Sequence, residues 1–164
     1  MIPDDVFARY RSKGVIDTNL LLLFVVGAFD RKEIGRFRRT TKFLPEDFDL
    51  LVRFMGFFQS VVTTPHILTE VSNLAGQIGD HVKGGVFAKL AQGVVEFQEE
   101  HVSTVELTTQ PSFVRFGVTD TAVLHHARGR FLVLTDDFPL SQYLQHHGVD
   151  VVNFNHLRMS TLFA

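Results

Sequence analysis

Short apolar runs alternate with segments of helical periodicity along most of this chain. Phe131 to Leu134 is a continuous apolar run, as is typical of a strand buried on both faces of a parallel sheet. Val15-Ile16 and Val61-Val62-Thr63 are shorter runs of the same kind, and each leads into a capping residue and a helical stripe. The pattern predicts an α/β domain with a mainly parallel sheet.

The remaining segments fit the same alternation. A short polar lead-in occupies residues 1–12, with a helical turn after Pro3. Val102 to Leu107 is expected to be a strand or an extended connection, and a last strand is expected at 149–154. Predicted helices cover about 18–30, 45–58, 64–78, 80–100, 117–129 and 140–147. With no repeat and no clear linker, residues 1–164 are predicted to form one domain, with a basic insertion at 30–45.

Composition excludes several classes of site. The chain has 164 residues, no cysteine and a net charge of −2. Disulfides, zinc–thiolate sites and thiol nucleophiles are therefore excluded, and any nucleic-acid surface would have to be a local patch. The longest apolar stretch, Leu20 to Phe29, is too short to span a bilayer, so no membrane association is expected. No Ser-His-Asp arrangement, dinucleotide-binding fingerprint or P-loop motif is present.

Acidic residues occur where a chain rarely places a charge. Asp17 follows the apolar run Val15-Ile16, and the pair Asp136–Asp137 follows the run from Phe131 to Leu134. Glu70 and Asp120 are expected on the hydrophobic faces of their helices. Inward-facing carboxylates repel one another and lose hydration unless a cation lies among them. The pattern favours a divalent metal site, and oxygen ligands suit Mg²⁺ or Mn²⁺.

Each carboxylate also has an ordinary structural explanation. Asp17 and the pair after Leu134 could cap helices, and Asp120 could lie in a first turn favoured by the helix dipole. Glu70 could be paired with an arginine. It is less expected that all four explanations hold at once than that the four carboxylates share one metal site.

Four motifs then resemble those of PIN-domain ribonucleases. They read Ile16-Asp17-Thr18-Asn19, Pro65-His66-Ile67-Leu68-Thr69-Glu70-Val71, Val118-Thr119-Asp120-Thr121-Ala122 and Leu134-Thr135-Asp136-Asp137, and the resemblance covers residues 14–155. It implies a Rossmann-like three-layer α/β/α fold. It also implies an Mg²⁺- or Mn²⁺-dependent endoribonuclease that hydrolyses RNA with water as the nucleophile.

The resemblance also assigns roles to individual residues. The implied metal ligands and catalytic residues are Asp17, Glu70, Asp120 and Asp137. The last motif of the family usually reads threonine, any residue, aspartate, which selects Asp137 and keeps Asp136 in reserve. Thr135 is expected to hydrogen-bond beside the ligand, and Asn19 is expected to orient the site.

One block of the chain is strongly basic. Its cationic residues are Arg31, Lys32, Arg36, Arg38, Arg39 and Lys42. They could bind the RNA backbone, because phosphate contacts supply most non-specific affinity. Phe37 and Phe43 lie among them and could stack on bases. The alternative is a solvated, flexible insertion loop.

Two other functions are compatible with the same fold. One is the toxin of a toxin–antitoxin pair, with an antitoxin partner and a homodimer. The other is a module that binds RNA or a protein without turnover. The segment 30–45 and the helical stretch from Asp80 make this chain larger than compact toxin members of the family. A cytoplasmic location is expected, since a chain without cysteine is compatible with a reducing compartment.

Overall fold

A computed structural model describes residues 4–162 of the chain. Helices and strands alternate along it as the sequence predicts. In chain order the elements are α1 (Asp4–Tyr10), β1 (Lys13–Ile16), α2 (Thr18–Phe29), α3 (Arg31–Arg36), α4 (Pro45–Met55), β2 (Ser60–Thr63), α5 (Pro65–Ala75), α6 (Asp80–Glu96), β3 (Gln98–Glu99), α7 (Thr104–Thr108), α8 (Ser112–Ala127), β4 (Leu132–Thr135), α9 (Phe138–His146), β5 (Val151–Asn153) and α10 (Phe154–Leu162).

These strands form one sheet in the order β3-β2-β1-β4-β5, and every neighbouring pair is parallel. In the centre, Val15 of β1 lies in register with Val62 of β2 on one side and Val133 of β4 on the other. Helices flank this sheet. The prediction of a Rossmann-like α/β/α fold with a parallel sheet is confirmed.

The strand order places two acidic motifs at one crevice. From β1 the chain moves to one side for β2 and β3, and then crosses to the other side for β4 and β5. Where this direction reverses, between β1 and β4, a parallel sheet opens a crevice beyond the carboxyl ends of its strands. Asp17 follows β1 directly, and Asp136 follows β4 directly.

The core is built around β4 and α2. All four residues of β4 are buried, as its continuous apolar sequence predicts. Leu20 to Leu23 of α2 are at most 1% exposed, because this helix packs against the sheet and against α4, α5 and α6. A helix that is apolar on nearly all sides is expected in such a position. No helix within the described range 4–162 is long and apolar enough to cross a bilayer.

Several elements and boundaries differ from the predictions. Residues 102–107 do not form a strand: the edge strand β3 lies earlier, at Gln98–Glu99, and α7 covers Thr104–Thr108. In α7 only Leu107 is buried, and a single buried residue gives no helical periodicity that the sequence could show. Helix α6 ends at Glu96, short of residue 100, because the chain then pairs with β2. Helix α10, which begins at Phe154, was not predicted.

Candidate metal centre

Asp17 is held rigidly where β1 passes into α2. Its backbone N–H donates to the carbonyl of Leu134 at 3.0 Å, which ties the ends of β1 and β4 together. The buried carboxylate accepts one hydrogen bond from the backbone N–H of Thr18 at 2.6 Å and one from the hydroxyl of Thr135. The Thr135 hydroxyl also accepts from the N–H of Asp137 at 3.0 Å. Thr135 therefore fixes two of the acidic residues relative to each other.

Glu70 reaches the same region from α5, but it is not buried. The buried face of α5 consists of Ile67, Val71 and Ala75. Glu70 lies at the margin of that face and is exposed, so the prediction that it belongs to the hydrophobic stripe is wrong. Its carboxylate accepts from the hydroxyls of Thr119 at 2.6 Å and Thr18 at 3.1 Å. These two threonines were not predicted to bind Glu70, although each lies beside an aspartate in its motif.

Asp120 lies in α8, just after a break in the helix. Gly117 has φ 79° and ψ −172°, a conformation that is essentially restricted to glycine. The helix restarts after it, with Thr119 buried and Asp120 partly buried. Val123 and Ala127 are buried on the core side of the helix, as predicted. The Asp120 carboxylate makes no side-chain hydrogen bond to any other described residue.

The last acidic pair is divided between two environments. Asp136 is buried, and its oxygens accept from the side-chain amide of Asn19 at 3.2 Å and from the ammonium of Lys42. Asp137 is exposed and caps α9, where Oδ1 accepts from the N–H of Leu140 at 2.9 Å. Through Asp136, Asn19 thus contacts the acidic cluster, which consists of Asp17, Glu70, Asp120, Asp136 and Asp137. The choice of Asp137 as the metal ligand stays a prediction.

Electrostatics shows that these carboxylates influence one another. Burial raises the pKa of Asp17 to about 6, and the charges of Asp136 and Asp137 add to the effect, against hydrogen bonds that lower it. Burial also raises the pKa of Asp120 to about 8, and there Asp17, Glu70 and Asp137 all contribute. The four predicted ligands therefore act on one centre, which favours a cation among them.

The chemistry of these donors fits a hard divalent cation. Carboxylate oxygens suit Mg²⁺ and Mn²⁺, and Mg²⁺ commonly uses a few carboxylates together with waters. As placed, no group of three or more histidine, aspartate or glutamate side chains within residues 4–162 surrounds a metal-sized space. The oxygens of Asp17 and Glu70 are directed instead toward threonine groups. A cation at this position would have to compete with those hydrogen bonds.

The raised pKa values predict that stability falls with pH in the absence of metal. Near pH 8 the folded protein keeps a proton on Asp120 that the unfolded chain has already released, because the ordinary pKa is 3.8. Raising the pH through the folded pKa therefore removes stability, by about 1 kcal/mol between pH 7 and pH 9. Above pH 7 His126, whose pKa is lowered by burial, is already neutral. Thermal unfolding in EDTA should show a falling midpoint over this range. The midpoint of an Asp120→Asn variant should fall less steeply with pH. Equal slopes in the variant and the wild-type protein would contradict the raised pKa of Asp120.

The basic segment, residues 31–42, is folded onto the domain. Residues Arg31–Arg36 form α3, so the alternative of a flexible loop is wrong for this part. Phe37 is 6% exposed and Phe43 is 1% exposed. The prediction that these rings stack on bases is therefore wrong, because both belong to the hydrophobic core. Periodicity could not show this, since each ring is buried by long-range packing, as where Phe43 meets Phe154 edge to face.

Most of the basic side chains bind partners within the chain. Arg31 pairs with Asp49 at 2.7 Å, and Arg36 pairs with Glu33 at 3.0 Å. Arg39 donates to Gln77 at 2.9 Å. Lys32 and Arg38 are exposed and form no ion pair with another residue of the described range. RNA binding by this block as a whole stays a prediction.

Comparison of the chain with models of protein families, with curated proteins and with solved structures gave no match. A function is therefore inferred from the side chains at the crevice and from the motifs they belong to.

Proposed function

We propose that this protein is a PIN-type endoribonuclease that depends on Mg²⁺ or Mn²⁺ and hydrolyses phosphodiester bonds of RNA. The observation that supports this most is the environment of Asp120. Its carboxylate is partly buried and has no hydrogen-bonding partner among residues 4–162, and burial together with three neighbouring carboxylates raises its pKa to about 8. A cluster of this kind is ionised at neutral pH only at a cost, and a bound cation would remove that cost.

The chain's own residues prepare this site. Thr135 and the N–H of Thr18 hold Asp17 in one orientation, and the Thr119 hydroxyl does the same for Glu70. Fixed carboxylates need little reorganisation when a cation and a substrate bind. Mg²⁺ or Mn²⁺ bound by Asp17, Glu70, Asp120 and Asp137 would activate a water molecule and neutralise charge on the phosphodiester.

RNA cleavage in Mg²⁺, Mn²⁺ and EDTA tests the proposal. We expect the wild-type protein to cleave a single-stranded RNA with either metal and not in EDTA. Asp17→Asn should lower the rate at least about 100-fold, since it removes a ligand charge while keeping a helix-capping side chain. Asp30→Asn is the matched control, because Asp30 caps α3 through Lys32 N–H and is not among the predicted ligands. It should cleave at the wild-type rate.

Two outcomes would overturn the proposal: cleavage that persists in EDTA, or Asp17→Asn protein that cleaves as fast as wild type. RNA binding without any turnover would instead favour the non-catalytic module.

A further inference from the structure

Lys42 is the cation that forms an ion pair with the acidic residues of the crevice. Among the ion pairs of the described residues, one involves the acidic cluster, and it joins the Lys42 ammonium to Asp136. The two residues are 94 positions apart in the chain, so the pairing is a product of the fold. The Lys42 side chain is 51% exposed, whereas the Asp136 side chain is 4% exposed. A half-exposed ammonium therefore rests on a buried carboxylate at the rim of the crevice.

The backbone around Lys42 is fixed by contacts with the core and with Arg158. Phe43, the next residue, is buried and packs edge to face on Phe154. The guanidinium of Arg158 donates to the Lys42 carbonyl at 3.1 Å and pairs with the Asp47 carboxylate at 2.8 Å. Both cationic groups also lie over the Phe43 ring. The position of Lys42 is therefore set by the core and not by a flexible loop.

Asp136 uses both of its oxygens to hold neighbours. One oxygen accepts from Asn19 and the other accepts from Lys42. An ammonium carries three N–H donors, and Asp136 takes one of those of Lys42. The remaining donors and the exposed side of the group are available to a ligand that enters from solvent.

We infer that Lys42 binds a non-bridging phosphate oxygen of the RNA strand beside the carboxylate cluster, with Asp136 as its anchor. This inference rests on the proposed nuclease function and adds a substrate contact to it. An anionic strand is repelled by a cluster of carboxylates, and a fixed lysine at the rim supplies a local attraction for one phosphate.

Other cations of the basic segment fit this role less well. Arg31 and Arg36 are paired with carboxylates outside the cluster, and Arg39 is bonded to Gln77. Lys42 alone among them is paired with a residue of the last acidic motif. It is therefore the side chain of the segment that links a bound phosphate to the reacting centre.

Salt dependence of RNA binding in EDTA tests Lys42 without requiring turnover. The probe is a short fluorescent single-stranded RNA, and anisotropy gives its affinity at several salt concentrations. Loss of one phosphate contact lowers the slope of log affinity against log salt by about 0.7. We expect this decrease in Lys42→Met, with the wild-type slope kept in Lys42→Arg. Lys89→Met, which removes a half-buried lysine of α6 that is bonded to Gln92 and lies outside the basic block, is the control and should keep the slope.

A cleavage assay with Mn²⁺ completes the test. Lys42→Met should lower kcat/KM about tenfold, mainly through KM, and Lys42→Arg should restore most of it. An unchanged salt slope in Lys42→Met overturns the inference, because a merely structural role for Lys42 would leave the number of phosphate contacts unchanged. If that occurs while wild-type protein cleaves RNA, the nuclease function stands. If the slope falls but wild-type protein never cleaves, the nuclease function fails and the contact stands. Wild-type protein that binds no RNA overturns both.

Discussion

Asp120→Asn is expected to stabilise the metal-free protein and to abolish RNA cleavage at the same time. The two effects have one cause, because the carboxylate is kept in an environment that opposes its ionisation. Asparagine has nearly the same shape without the charge, so the repulsion from Asp17, Glu70 and Asp137 disappears. With allowance for partial exposure, the gain in the free energy of unfolding at pH 8 is about 1–3 kcal/mol. Cleavage should fall at least about 100-fold, because a charge that would bind the cation is lost.

Thermal unfolding at pH 8 in EDTA, followed by the cleavage assay, measures both effects on one sample. Asp49→Asn is a suitable control, because Asp49 is also a helical aspartate but pairs with Arg31 at the surface. An exposed pair contributes little, so its midpoint should change only slightly and its activity should persist. Added Mn²⁺ should raise the midpoint of the wild-type protein more than that of Asp120→Asn. A lower midpoint in Asp120→Asn would show that this carboxylate serves the fold.

The sheet could be predicted because its signals are local. Phe131 to Leu134 is buried throughout, and its continuous apolar sequence says so directly. Thr64-Pro65 predicts the start of α5, where the Thr64 hydroxyl accepts from the N–H of Ile67 at 3.2 Å. Once the strands are parallel, their carboxyl ends meet at one edge. Asp17 and Asp136 follow such ends, so local patterns were enough to place them together.

Other parts of the site depend on contacts between residues that are distant in the chain, and sequence periodicity cannot predict such contacts. Helical spacing placed Glu70 on the face of Ile67 and Val71, but tertiary packing buries those two residues and leaves Glu70 exposed. Phe43 reads as a surface aromatic in a basic block, yet α10 covers it. The contact of Lys42 with Asp136 follows from that same packing. Tertiary structure decided all three.

Asp137→Asn and Asp136→Asn are expected to separate metal binding from substrate binding. Asp136 has both oxygens occupied, by Asn19 and Lys42. Asp137 uses Oδ1 to cap α9, and its charge raises the pKa of both Asp17 and Asp120. Among the charges that raise the Asp120 pKa, that of Asp137 is present and that of Asp136 is not. Asp137 is therefore the member of the pair whose charge acts on both Asp17 and Asp120, whereas the charge of Asp136 acts on Asp17.

Calorimetric titration with Mn²⁺ alone, without RNA, measures the Mn²⁺ affinity of each variant. Asp137→Asn should weaken Mn²⁺ binding about 10- to 100-fold, while the helix keeps its cap because asparagine caps as well as aspartate. Asp136→Asn should bind Mn²⁺ like wild type and lose kcat/KM on RNA, because Lys42 is no longer anchored. The opposite ranking of Mn²⁺ affinities would move the metal ligand to Asp136. It would also mean that Lys42 has to leave that carboxylate before a cation can bind there.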